Sequence, residues 1–397
     1  MNLPVPFSDL IVAGEGGHPA LPPEVHHLPH LLEMEAEDVL AAFKQSQQAD
    51  FTRIIEDLNR PGNPLRTILN QLAPLGMAPV DPHRLKALFL DLHEHVMGHP
   101  VWRHPFFLRV FEGRVTAPQV TQFALHYFNQ IKNTRQCVAL SLGRFNGLDE
   151  RRHGQASERV SELTQIVLAQ LIADEYGVST HEVSGYPGMA QLLDATTHIV
   201  MYRQLFEGLK IPFAQQDVPL LNGVADNVLT QRLVAGDPAF SPLESLASVG
   251  LGMEWGVPEF FTLLLGGLIR FAWKNNLQLN QRHLFVLTAH VKYDVLHAIA
   301  VVLATSFHCQ SADDVHAVKN ATNMLMAARY GMMTDLYRHV FGEECASLAE
   351  IDLAPGYRLT DGRIVSALRR ARQNADAASL ADPVGYSRHP LPFVLTA

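Results

Sequence analysis

Apolar residues in this chain recur three and four positions apart for most of its length, and the strict alternation of a half-buried strand is nearly absent. The pattern predicts an all-α protein. Leu40, Phe43, Phe51, Ile54, Ile55 and Leu58 mark a helix over 31–59, closed by the breaker Arg60-Pro-Gly-Asn-Pro. From Asp81-Pro82 onward helix follows helix: 85–97, 118–146 with Phe123, Tyr127, Ile131, Val138 and Leu142 in phase, 151–176, and 187–209 opening on a proline. A segment over 241–273 breaks at Gly256 to Pro258, and helices over 281–307 and 312–341 close a bundle of about seven. Three regions follow: an arm and helical extension over 1–84, rich in Pro, Gly and His at its start; a helical domain over 85–342; and a tail over 343–397. The tail reads as a surface wrap, with a short basic amphipathic helix over 363–374 whose arginines form a solvated face.

Composition narrows the classes. Of 397 residues, 47% are hydrophobic and 18% charged, which suits a chain with a large buried interior. The formal charge is −9 with no basic run, so neither nucleic acid nor an anionic membrane is an expected partner. Cys137, Cys309 and Cys345 are far apart and lack Cys-x-x-Cys spacing, which supports neither a disulfide framework nor a zinc finger and fits a reducing cytoplasm. The first residues lack a basic secretory n-region, and the longest apolar run, 260–269, is interrupted by Gly266 and Gly267 and falls short of the ~18 residues that span a bilayer.

Within the helix over 281–307 lies His290-Val-Lys-Tyr-Asp-Val-Leu-His297. At about 100° per residue, His290, Asp294 and His297 fall within about 60° of one another, so two imidazoles and a carboxylate share a face. Leu284, Val286, Leu287, Val291, Leu296, Ile299 and Val302 make the rest of the helix apolar and hence buried. Buried His and Asp need partners, and imidazole with carboxylate in the absence of thiolate suits iron, manganese or zinc, with iron favoured.

A helical chain ending in His-x-x-x-Asp-x-x-His resembles the haem-oxygenase-like diiron oxidases and oxygenases, relatives by fold of the PqqC and TenA proteins. Arg103-His-Pro-Phe-Phe-Leu, Glu112-Gly-Arg-Val-Thr and Phe123-Ala-Leu-His-Tyr-Phe are similar to the first two helices of that fold. Asp174-Glu-Tyr-Gly resembles the end of the helix that gives the first carboxylate ligand, and Leu251-Gly-Met-Glu before Pro258-Glu-Phe-Phe the helix that gives the second. The resemblance implies a haem-oxygenase-like bundle over 85–342 and two iron ions per protomer held by Glu175, Glu254, His290, Asp294, His297 and one further histidine. That histidine is His181, by its distance from Glu175, or His198, by its distance from the helix end near Phe206. Glu259 is an alternative to Glu254, and Tyr127, Tyr176 and Tyr293 are candidates for a cavity wall. The segment over 175–198, with Gly177, Gly185 and Gly188, is expected to be the mobile side of the site.

Two ferrous ions can deliver two electrons to dioxygen without haem or flavin. The resemblance therefore implies an oxidoreductase, O2 as co-substrate, and a small amino-acid-like or fatty-acid-like substrate, with a homodimer as one option. Members of this family carry out N-oxygenation, oxidative carbon–carbon cleavage, decarboxylation or self-oxidation, and fold does not select among them. The alternatives are a metal-free PqqC-like or TenA-like enzyme, against which the 290/294/297 triplet argues, and a helical binding module with a structural polar cluster.

Overall fold

The computed structural model describes residues 31–58, 60–77, 81–146, 151–177, 197–216, 218–374 and 386–396. The expected arm over 1–30 lies outside them. Fourteen α-helices carry the described chain: α1 (Ala36–Leu58), α2 (Pro64–Asn70), α3 (Pro82–Met97), α4 (Pro105–Phe111), α5 (Ala117–Ile131), α6 (Thr134–Leu142), α7 (Ser157–Glu175), α8 (His198–Gly208), α9 (Asn222–Gly236), α10 (Pro242–Ala247), α11 (Val257–Lys274), α12 (Gln281–His308), α13 (Ala312–Phe341) and α14 (Arg363–Asn374). Among the described residues there is no sheet, only an isolated bridge between Leu359 and Leu395. The all-α architecture is thus observed.

Side-chain caps set the ends of the long helices. Capping boxes open α5 (Thr116 with Gln119), α10 (Ser241 with Glu244), α12 (Asn280 with His283) and α13 (Ser311 with Asp314), each satisfying backbone N–H groups that the first turn leaves open. Gly342 ends α13 at φ 68°, a left-handed position glycine takes without strain.

Several elements differ from the sequence reading. The single helix expected over 118–146 is two, because Asn133 turns into the core: its amide donates to Gln231 Oε1 at 2.9 Å and its carbonyl accepts from Arg232 Nε at 2.6 Å. The helix expected from 151 begins only at Ser157, since Gly154 sits at φ 56° and ψ −123°. The stretch 222–236, to which the pattern assigned nothing, is α9. It buries Asp226, Asn227, Thr230 and Gln231 together with its apolar residues, and polar groups on a buried face erase the period. These breaks and α9 give more, shorter helices over 85–342 than the seven or so expected.

α12 is the central rod, flanked by α7, α8 and α11, while α13 packs on α5, α9 and α10. One buried apolar cluster runs from Leu31 to Val365 across both expected region boundaries, with α1 joined to α3 through Phe51 stacked on Phe89. The tail is also tied inward. Arg372, expected on a solvated face, is buried and donates from Nε to Asp226 Oδ1 at 2.9 Å, and the Tyr386 hydroxyl donates to the same oxygen at 3.0 Å. The amphipathic helix of the tail turns its basic residue inward because α9 presents a buried carboxylate that needs a donor. Among the described residues no helix is long and apolar enough to cross a membrane, and the three cysteines form no disulfide.

Candidate metal centre

α12 presents His290, Asp294 and His297 inward, as the spacing requires, with His290 8% and Asp294 3% exposed. His290 is fixed in three ways. Its Nδ1–H donates to the Val286 carbonyl one turn back, which leaves Nε2 with a free lone pair. The Phe261 ring of α11 lies flat against it at 4.7 Å with an 8° interplanar angle, and the His198 ring stands 4.6 Å away. For His297 the roles reverse: Nε2–H donates to Asp174 Oδ2 at 2.8 Å, and Nδ1 faces Asp294 Oδ1 at 3.6 Å and Glu254 Oε2 at 3.9 Å.

Glu175 is the last residue of α7 and His198 the first of α8, and His198 Nδ1 lies 3.1 Å from Glu175 Oε2. Glu254 arrives differently. After Ala247 the α10 backbone widens into a π turn over Ser248–Glu254, with Trp255 N–H donating to Gly250 O at 3.0 Å. Such a turn shifts the side chains that follow and recurs at functional sites. It fits here because Gly250 and Gly252 carry no Cβ: one on Gly250 would run into Val301 of α12, and one on Gly252 would stand 2.6 Å from Leu325 Cδ2 of α13. Gly256, at φ 78° with the Trp102 ring beneath it, then reverses the chain into α11.

The six side chains form two triads, Glu175 with His198 and His290, and Glu254 with Asp294 and His297, each with one ligand-type atom per residue and all within 4.8 Å of one another. No family model and no curated protein matches this chain. The site is therefore read from its own geometry. Of the metal ligands expected from the sequence, the structure brings together all but His181, which lies outside the described residues, as do the side chains of Glu259 and Tyr293 and residues 178–196 of the expected mobile stretch over 175–198. Tyr127 is buried near the site, and Tyr176 is 40% exposed and no part of a wall.

The charges in this cluster are crowded enough that its side chains hold protons which free ones would release. Burial, then the neighbouring Asp294 carboxylate, pushes Glu254 up to about 8, so at neutral pH the second triad takes up a proton to relieve two buried acids. Burial opposes charge on His297, but the hydrogen bonds to Asp174 and Asp294 outweigh it and hold the imidazole up at about 11. His198 is likewise raised to about 8, because Glu175 beside it more than offsets burial. Asp294 Oδ2 is buried with no hydrogen-bond partner. An orphan carboxylate oxygen, crowded acids and imidazoles oriented by fixed hydrogen bonds are what a divalent cation, displacing the protons, would satisfy, and the donor set of oxygen and imidazole nitrogen fits iron, manganese or zinc.

Three residues near the site escaped the sequence reading. Asp174, which orients His297, stands beside Glu175, and the Asp-Glu pair at a helix end was a usable signal. Tyr202, one turn after His198, has a buried hydroxyl without a partner. Arg329 donates from Nη2 to the Met253 carbonyl at 3.4 Å, next to Glu254. Its signal is a charge in the midst of Met324-Leu-Met-Ala-Ala-Arg-Tyr-Gly-Met-Met.

Proposed function

We propose that this chain is a non-haem diiron enzyme that uses dioxygen to oxidise or oxygenate a small organic substrate. One observation carries the reading: six ligand-type side chains from four separated stretches meet in one buried place as two adjacent triads. The resemblance to the haem-oxygenase-like diiron oxidases supports it too, since the residues it assigns are those that meet, with His198 as the sixth.

Ferrous ions held there would supply the electrons that dioxygen needs. The chain's own contribution is placement and exclusion of water. Val286 and Asp174 hold the tautomers of His290 and His297, so each imidazole offers its other nitrogen to the interior. Phe261 fixes the plane of His290, and the buried walls of α11 and α12 keep the reacting space dry.

The test is anaerobic reconstitution with ferrous iron, followed by metal counting and an optical spectrum on admission of oxygen. Two irons per chain and an oxygen-dependent absorption are expected, and His198→Ala or Asp294→Ala should lower the iron content while helicity is retained. Wild-type protein that holds no more iron than a non-binding control would end the proposal.

A further inference from the structure

A cavity of about 160 Å³ lies between α13, the start of α9 and two stretches of the tail, 347–349 and 389–394. None of the six triad residues lines it, so it is separate from the metal centre. Small residues make the room. Ala328 and Gly331 of α13 and Gly223 of α9 form part of the wall, and a Cβ on Gly331 would stand 2.7 Å from Pro392 Cβ and push the tail away. The tail is held over the cavity at both ends of 389–394: Arg372 donates to the His389 and Pro390 carbonyls, and Leu359 N–H donates to the Val394 carbonyl. Met332, Leu348, Leu391 and Phe393 give the wall its hydrocarbon. An apolar cavity of ~150 Å³ takes benzene, so this one has room for a single six-membered ring with a short substituent.

The charges around it do not balance. Asp226, whose side chain is 2% exposed, is matched by the buried Arg372 and by the Tyr386 hydroxyl. Arg338 spends Nε and Nη2 on the two oxygens of Glu344, at 2.7 and 2.8 Å, and leaves only Nη1 for Asp335 Oδ1 at 3.4 Å. The other oxygen of Asp335 accepts the Gly223 N–H at 2.8 Å, which fixes this carboxylate at the wall. Two histidines in reach of these acids bring no charge at neutral pH, because burial lowers the pKa of His389 and holds His126 at about 4. One negative charge is left over at Asp335, half-buried beside hydrocarbon.

We infer that this cavity is a binding site for a small organic cation, an ammonium on a one-ring hydrocarbon body, with Asp335 as its counter-ion. The ammonium has N–H donors for a carboxylate that accepts from the chain at one backbone amide and one long contact, and the charge strengthens that bond. The ring occupies the apolar part of the wall. A carboxylate on the same ring would instead meet Asp335 as a like charge, and a neutral ring would leave Asp335 unanswered.

Calorimetric titration of the full chain at pH 7, with a chelator present so that no metal takes the amine, tests this. The probes are benzylamine, 2-phenylethylamine and cyclohexylmethylamine, each against the alcohol of the same skeleton, with benzoate as the anion. At least one amine should bind the wild type about tenfold or more tighter than its alcohol, and benzoate should bind more weakly than either. Asp335→Asn keeps the shape and the acceptor for Gly223, and should bring amine and alcohol within about twofold of each other. Ala328→Leu, which puts three more carbons into the cavity, should weaken amine and alcohol together. Amines that bind no better than ~10 mM, an alcohol or benzoate that matches its amine, an Asp335→Asn protein that keeps the preference, or a folded Ala328→Leu protein that binds as the wild type does would each overturn the inference. Since the titration is metal-free, its outcome is independent of whether the triads hold iron.

Discussion

Replacement of Asp174 by asparagine separates the two triads. His297 spends Nε2–H on Asp174 Oδ2 at 2.8 Å, and only its Nδ1 faces Asp294 and Glu254. Asparagine keeps the shape and an accepting oxygen but removes the charge. A hydrogen bond to a charged group is worth ~1.5–3 kcal/mol net and a neutral one ~0.5–1.5 kcal/mol, so the substitution removes roughly 1–1.5 kcal/mol, or about tenfold in affinity at the position His297 serves. The Asp174 side chain is 22% exposed, which trims this only slightly. Asp174→Ala, which removes the acceptor altogether, should cost on the order of 10–100-fold. The assay is an anaerobic competition of ferrous iron against a chelator, fitted to two positions per chain. The loss should fall on the position built from Glu254, Asp294 and His297 and spare the one built from Glu175, His198 and His290. Both positions unchanged within about twofold, or a loss at the other triad, would refute the role given to Asp174.

Two further outcomes are expected. Burial holds His93, His95 and His126 at about 4 and His99 and His104 at about 3, against 6.5 for a free imidazole. At these five the unfolded chain therefore binds protons that the folded chain refuses, so the stability that depends on them is complete above pH 6.5 and is lost as pH falls toward 4, at up to ~1.4 kcal/mol per pH unit for each histidine. Glu254, protonated in the fold below about 8, offsets one of these in the metal-free protein. Urea melts at pH 7 and pH 5.5 that give the same midpoint would contradict this. Arg372→Met should destabilise by ~3–5 kcal/mol, because it strands the buried Asp226 carboxylate. Limited proteolysis should then release the tail, whereas an unchanged digestion pattern would mean that the tail is held by other contacts.

The sequence declared helices best where long apolar periods and strong caps coincide: α13 and α14 begin and end where the pattern places them, and α12 differs by one residue. It failed where polar residues are buried, at Asn133 and along α9, because a satisfied polar side chain in the core looks like a surface residue until its partner is known. In the site, the 290/294/297 face was legible because helix geometry alone brings those residues together. Glu175 and Glu254 came through resemblance. The choice between His181 and His198 was open because chain separation does not fix distance, and only the opening of α8 at His198 places that ring against His290. The π turn left no signature, since 248–254 is buried on every side and has no period to read. Tyr202 likewise becomes conspicuous only when its hydroxyl is seen to lack a partner.

α7 ends on Glu175 and α8 begins on His198, so the chain leaves and re-enters the described fold at two residues of one triad. An ion bound there would close a loop, and a second ion at Glu254, Asp294 and His297 would rivet the π turn to the central rod. Such fasteners exist only once α7, α8, α10 and α12 have docked. They would leave the folding rate nearly untouched and slow unfolding instead. The lifetime of the folded chain in denaturant would then be a clock whose pace reports how much metal it holds.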